Sequence, residues 1–151
     1  MFNLPLTFKG IPEKIIIESE DSMFCPPSPG QEIRQRLTMN RNGSVTITRY
    51  FSGDYSVVPP TPDTKTMRRY RGKPTEKVME YLACHFSEDH IGELICDAGI
   101  WGVEIMGSDG KKYRYTDSLG NDIDVHGTKM SEIIRRVLEM DDLWLFDGGV
   151  R

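Results

Sequence analysis

The sequence predicts an α+β protein: an antiparallel sheet built from two β-hairpin-plus-helix units, with the helices packed on one face. Three observations carry this. Asn42-Gly43 and Asp109-Gly110 each separate two runs of alternating residues, and such pairs tolerate the positive φ of tight hairpins. A further extended piece follows each hairpin. Each unit then closes on an amphipathic helical stripe, near Thr75 in the first and near Thr128 in the second. The spacing from glycine to helix is 32 residues in the first unit and 18 in the second, so the echo is structural, with an insertion in the first copy.

In chain order, Lys14–Glu18 is a short β-branched run expected to form a buried strand. Cys25-Pro26-Pro27-Ser28-Pro29-Gly30 breaks regular structure, because proline removes amide donors and fixes φ. Alternation then places Ile33, Gln35, Leu37 and Met39 on one face and Arg34, Arg36, Thr38 and Asn40 on the other. The return strand sets Val45, Ile47 and Arg49 against Thr46, Thr48 and Tyr50. Ser52–Asp63, with its prolines, reads as a loop, and Thr64–Arg71 as a basic third strand. Pro74-Thr75 opens a helix carrying Val78, Met79, Leu82 and Phe86, and Ser87 is expected to cap a second short helix with Ile91, Leu94 and Ile95. The second hairpin joins Trp101–Met106 to Lys111–Thr116, and Ile123 and Val125 mark a short strand. Thr128 is the expected N-cap of the clearest helical stripe: Met130, Ile133, Ile134, Val137 and Leu138. Asp141-Asp142 stops it, and Leu143-Trp144-Leu145-Phe146 is expected to dock back.

The stretch Ile95–Trp101, with Asp109–Arg114, Ile133-Ile134-Arg135 and Met140–Asp147, resembles a loose group of small uncharacterised bacterial proteins. That group carries no established activity, so the resemblance implies a bacterial or phage cytoplasmic setting and little more.

A chain of 151 residues suits a single domain, 1–151, divisible into sub-units 1–90 and 91–151. It has no apolar run of membrane-spanning length, and Met1-Phe2-Asn3-Leu4-Pro5 does not read as a signal peptide. Three cysteines make an odd, sparse set, which argues for reduced thiols and a cytoplasmic location. Charge is unevenly distributed: −3 over residues 1–33, +7 over 34–77 and −8 over 78–151. The two opposed segments can neutralise each other inside one fold or present two faces to partners.

Three constellations bear on chemistry. His85, Glu88 and His90 come within one residue of an inverted zinc-protease motif, with Cys84 and Cys96 nearby. Five residues of helix turn the two imidazoles about 140° apart, so chelation requires a break in the helix. Asp122, Asp124 and His126 alternate and would share a strand face, a possible hard-cation site for a metal-dependent hydrolase, although pairing with Lys112 and Arg114 explains the same alternation. Arg34, Arg36, Arg41, Arg68, Arg69, Tyr70, Arg71 and Lys73 form a basic, partly aromatic set suited to phosphate, with Arg34, Arg36, Arg69, Tyr70 and Arg71 as the expected contacts. No nucleophile elbow, phosphate loop or dinucleotide fingerprint is present, and Cys84 beside His85 is a poor thiolate pair on a helix. The expectation is therefore a non-enzymatic interaction protein with no cofactor: an inhibitor or adaptor that binds a larger bacterial or phage complex. Its contact residues would be the acidic Asp117, Asp122, Asp124, Asp141 and Asp142, acting as a nucleic-acid mimic. Direct nucleic-acid binding through the basic set is the alternative. A membrane partner is not expected.

Overall fold

The structure is a computed structural model that describes residues 6–21, 27–53, 63–93 and 98–148. Six antiparallel strands form one sheet: β1 (Pro12–Glu20), β2 (Glu32–Asn40), β3 (Ser44–Phe51), β4 (Asp63–Tyr70), β5 (Ile100–Gly107) and β6 (Lys112–Ser118), in the order β4-β3-β2-β1-β5-β6. The first four strands form a meander. The β5–β6 hairpin then returns to pair β5 with the free edge of β1, with Ile15 opposite Ile105 and Ile17 opposite Val103. Helix α1 (Lys73–His85) separates the two groups of strands. A two-residue strand pair, β7 (Asp124–Val125) and β8 (Thr128–Lys129), leads into helix α2 (Met130–Leu138).

Both hairpins use the same three-residue loop. In Arg41-Asn42-Gly43 and Ser108-Asp109-Gly110 only the glycine has positive φ, +92° and +83°. Asn42 Oδ1 accepts the Ser44 amide at 2.9 Å, as Asp109 Oδ1 accepts that of Lys111 at 3.0 Å. The expected hairpins are present, but built on a glycine bulge rather than a two-residue turn.

Register gives the sheet a single parity. Every regular pair joins odd to odd or even to even, as in Ile17 with Leu37, Leu37 with Ile47 and Ile105 with Tyr113. Odd positions on β1, β2, β3 and β5 therefore enter one core with Val78, Met79 and Leu82 of α1 and Met130, Ile134 and Leu138 of α2. Each fully buried aliphatic side chain there contributes ~1.5–3 kcal/mol relative to exposure. Leu143–Phe146 docks back as expected. The Phe146 amide donates to Ser19 Oγ, the Trp144 amide to Gln35 Oε1, and the Trp144 indole to Glu32 Oε1.

Three expected details differ. Residues 87–93 form turns and extended chain rather than a helix, because Asp117 and Ser118 draw that segment's polar groups toward β6, while Leu94 and Ile95 lie outside the described residues. Thr128 sits in β8 and does not cap α2. Asp122 does so from further away, its carboxylate accepting from the Ser131 amide at 3.3 Å and from the Ser131 hydroxyl. The second unit's extra extended piece stays out of the main sheet and pairs only within β7–β8.

A Cβ at Gly43 would fall 2.7 Å from Gly72 Cα and 2.9 Å from the Tyr70 ring, whereas one at Gly110 would meet nothing within 4 Å. Gly43→Ala should therefore cost about 2–3 kcal/mol in urea unfolding and Gly110→Ala about 1 kcal/mol. Equal costs would mean that backbone conformation alone sets the requirement at Gly43.

Candidate interaction surfaces

The helices cover the odd face, and the even face of the sheet is open. Its centre carries Ile16 and Glu18 from β1, Arg36 from β2, Gly102 and Glu104 from β5, and Arg114 from β6. Arg34 and Arg36 both reach Glu18, at 3.3 and 3.4 Å, and Arg114 lies 3.9 Å from Glu104. The Arg34 guanidinium also sits 4.5 Å above the Tyr50 ring. Toward β4 the face turns to hydroxyls, with Thr48 Oγ1 3.4 Å from Thr66 Oγ1. Two shallow depressions of about 270 and 170 Å3 meet over Ile16, Arg36 and Glu104, and Gly102 lines the smaller.

The basic set divides by parity. Arg34 and Arg36 lie on the open face, but Arg69 points to the other side, where its guanidinium and that of Arg71 donate to the Leu138 carbonyl at 3.5 and 3.2 Å. They close the C-terminus of α2, where carbonyls are unpaired and the helix dipole favours cations. Tyr70 is exposed on the open face, and its even-numbered neighbour Arg68, also part of the basic set, joins Arg34 and Arg36 there. Alternation already contained this division.

The acidic set forms no common surface. Asp117, expected as a contact residue, is 3% exposed and is corrected to a buried fastener. It accepts from the amides of Glu93 (3.1 Å) and Ser118 (2.7 Å) and from Asn121 Nδ2 (3.0 Å). Asp122 is taken up by α2. Asp124 lies 3.8 Å from Lys129, and Asp142, though exposed, contacts Arg49 at 2.8 Å. Asp141 is exposed. Asp122 and Asp124 thus serve different elements, while His126, at φ 50°, occupies the β7–β8 turn. Among the described residues no group of His, Cys, Asp and Glu side chains is placed to hold a metal ion. Cys84 is an exposed free thiol, and Cys25 and Cys96 lie outside the described residues. Trp101, Trp144 and Phe146 are buried.

His85 and His90 do meet, because the chain leaves helical geometry between them. His85 Nε2 lies 3.2 Å from His90 Nδ1, and His90 Nε2 lies 3.1 Å from Asp117 Oδ2. A carboxylate only accepts, so His90 donates from Nε2; with His90 in its neutral form, Nδ1 is left to accept from His85 Nε2–H. The relay fastens the segment after α1 to β6 beside the Phe86–Tyr115 stack, whose rings are 4.1 Å apart. Burial, followed by repulsion from His90, lowers the His85 pKa below its ordinary 6.5, against a smaller raising effect of Glu88.

No protein-family model, curated protein or solved structure matches the chain. Among the described residues no helix is long and apolar enough to cross a membrane.

The downward shift at His85 has a definite sign. Between its folded value and 6.5 the unfolded chain binds a proton that the folded chain does not, so stability rises with pH across that window. Unfolding free energy should therefore fall as pH is lowered through this window and level off below it, and His85→Gln should flatten the slope. An unchanged slope in chemical denaturation would remove His85 from the account.

Proposed function

We propose that the chain is a non-enzymatic interaction protein, an adaptor or inhibitor, whose contact surface is the open face of the sheet and whose partner is a protein. The observation that carries this is Glu18 seated between Arg34 and Arg36. A track for nucleic-acid phosphates gains affinity from cations that displace counterions, and acids interleaved with those cations cancel that gain. Glu18 and Glu104 are so interleaved, and with Arg36 and Arg114 they line a shallow hollow that Ile16 and Gly102 share. Charge of both signs around a shallow hollow suits a protein surface, where complementary potentials set register and select the partner. The dispersal of Asp117, Asp122 and Asp142 into internal contacts weighs against charge mimicry by the acidic half. Nucleic-acid binding, confined to Arg34, Arg36, Arg68 and Tyr70, is the second reading, and the cytoplasm of a bacterial or phage system remains the proposed setting.

Gly102 offers a clean test. A Cβ there has no neighbour closer than the Tyr115 carbonyl oxygen at 3.8 Å, so a large side chain can stand on the face without disturbing the core. Gly102→Trp should keep the wild-type melting temperature to within a few degrees, yet remove the partner captured from a nuclease-treated lysate of the native host. Arg36→Glu should weaken the same capture by about tenfold. Capture that survives both substitutions would place the contact elsewhere. Binding that needs nucleic acid and falls steeply with salt would favour the second reading.

A further inference from the structure

On the opposite side of the molecule, α1 and α2 diverge around a groove of about 460 Å3, a size common to small-molecule sites. Its walls are apolar: Val78 and Tyr81 from α1, Ile133 and Val137 from α2, and Val125 from β7. All but Val78 are only partly buried, so the groove exposes apolar surface that the core leaves uncovered. Its charged groups, Lys77 and Arg136 on the two helices, are cationic, and His126 stands at the hairpin end; no aspartate or glutamate lines this groove, Asp124 and Glu88 lining instead the adjoining hollow beyond His126. Lys77 makes an exposed pair with Glu80 at 3.7 Å and stands 6.0 Å over the Tyr81 ring, and Arg136 makes no ion pair among the described residues. The hairpin end is shaped by an unusual backbone: His126 and Gly127 both have positive φ, 50° and 87°, the signature of a two-residue type I′ turn. That turn places the imidazole at the mouth.

We propose that this groove binds a small organic anion with an apolar body, its chain lying on Tyr81, Ile133 and Val137 and its acid group held by Arg136 and Lys77. Charge complementarity selects the sign of the ligand: an anion finds cations with no competing carboxylate in the lining, and a cation finds none of its counterparts. The apolar walls require a body that can displace water from them, which inorganic phosphate or acetate cannot do. The groove lies across the sheet from Gly102, so this site and the open face can succeed or fail separately.

Isothermal titration with decanoate, held below its micelle concentration, tests the proposal. Wild-type protein should show saturable one-site binding. Arg136→Gln should weaken it about tenfold, as expected on losing one charge-assisted hydrogen bond. Ile133→Trp should abolish it by filling the groove, with folding checked by circular dichroism, and Gly102→Trp should leave it unchanged. The proposal is overturned if decanoate gives no saturable heat, if decyltrimethylammonium binds as well, or if Arg136→Gln retains full affinity. Equal weakening by Gly102→Trp would also overturn it, because that would mean non-specific adsorption.

Discussion

The structure depends on one constraint: all the strands of the main sheet must turn the same parity to the helices. Side chains alternate along a strand, so one residue gained or lost in a connection would move a whole strand's apolar set into water. The chain meets this with loops that preserve parity, and Ile17, Leu37, Ile47 and Val103 arrive together beneath α1 and α2. The register shifts twice in the main sheet, once at the Pro12 end of the β1–β5 pair, and the other shift is informative. The register slips between Glu32 and Arg34, and this bulge turns even-numbered Glu32 to the helix side. There it receives Gln35 Nε2, the Trp144 indole and Arg49, at 2.9, 2.7 and 3.0 Å. The slip thus builds the polar seat on which the C-terminal segment docks.

That seat also accounts for much of the charge imbalance along the chain. Arg49 of the basic segment bridges Glu32 and Asp142, and Arg71 meets Glu139 at 3.6 Å while donating to the last carbonyl of α2. Glu139 itself sits in the left-handed region, at φ 55°, and ends α2 with the Glu139 and Met140 amides donating back to Arg136 and Arg135. Exposed pairs such as Arg71–Glu139 contribute ~0–1 kcal/mol. Arg49 and Glu32, both largely shielded and held by several hydrogen bonds, matter more for where the segment docks than an isolated surface pair would. The basic and acidic segments attract each other within one fold.

Elements governed by local chemistry were legible in the sequence. The Asx-glycine loops, the alternation of Ile33–Asn40 and the stripe of α2 each follow from a few adjacent residues. What failed depended on partners distant in sequence. Thr128 has the right side chain for a cap, but β8 takes it, and Asp122 reaches Ser131 from nine residues away. Ser87 has a helix-starting character, but Asp117 offers the following segment better hydrogen bonds than a short helix would. The basic set erred differently. Arg34, Arg36, Arg69 and Arg71 were grouped by charge, although pairing through β3 sets the even positions of β2 and the odd positions of β4 on opposite faces. Only the register, which pairs Val45 with Arg69 and Thr46 with Arg68, was missing. The groove between α1 and α2 had no sequence signal, because its walls come from stripes that read as ordinary core.

Openness alone does not make the even face functional, since an antiparallel sheet can keep one polar side in water indefinitely. What supports the proposed role for this face is the order of its residues. Solvation would be served as well by lysine and threonine throughout, yet Ile16 and Gly102 occupy the centre, where a hollow forms, and Glu18 is held between two arginines. Each of those arginines gives up part of its hydration and its rotamer freedom to a fixed arrangement. A surface that holds its charges in place before contact spends less entropy at contact. Parity makes that arrangement separable from the core: a side chain at an even position points away from α1 and α2, so residues on this face can change without rebuilding what lies beneath it.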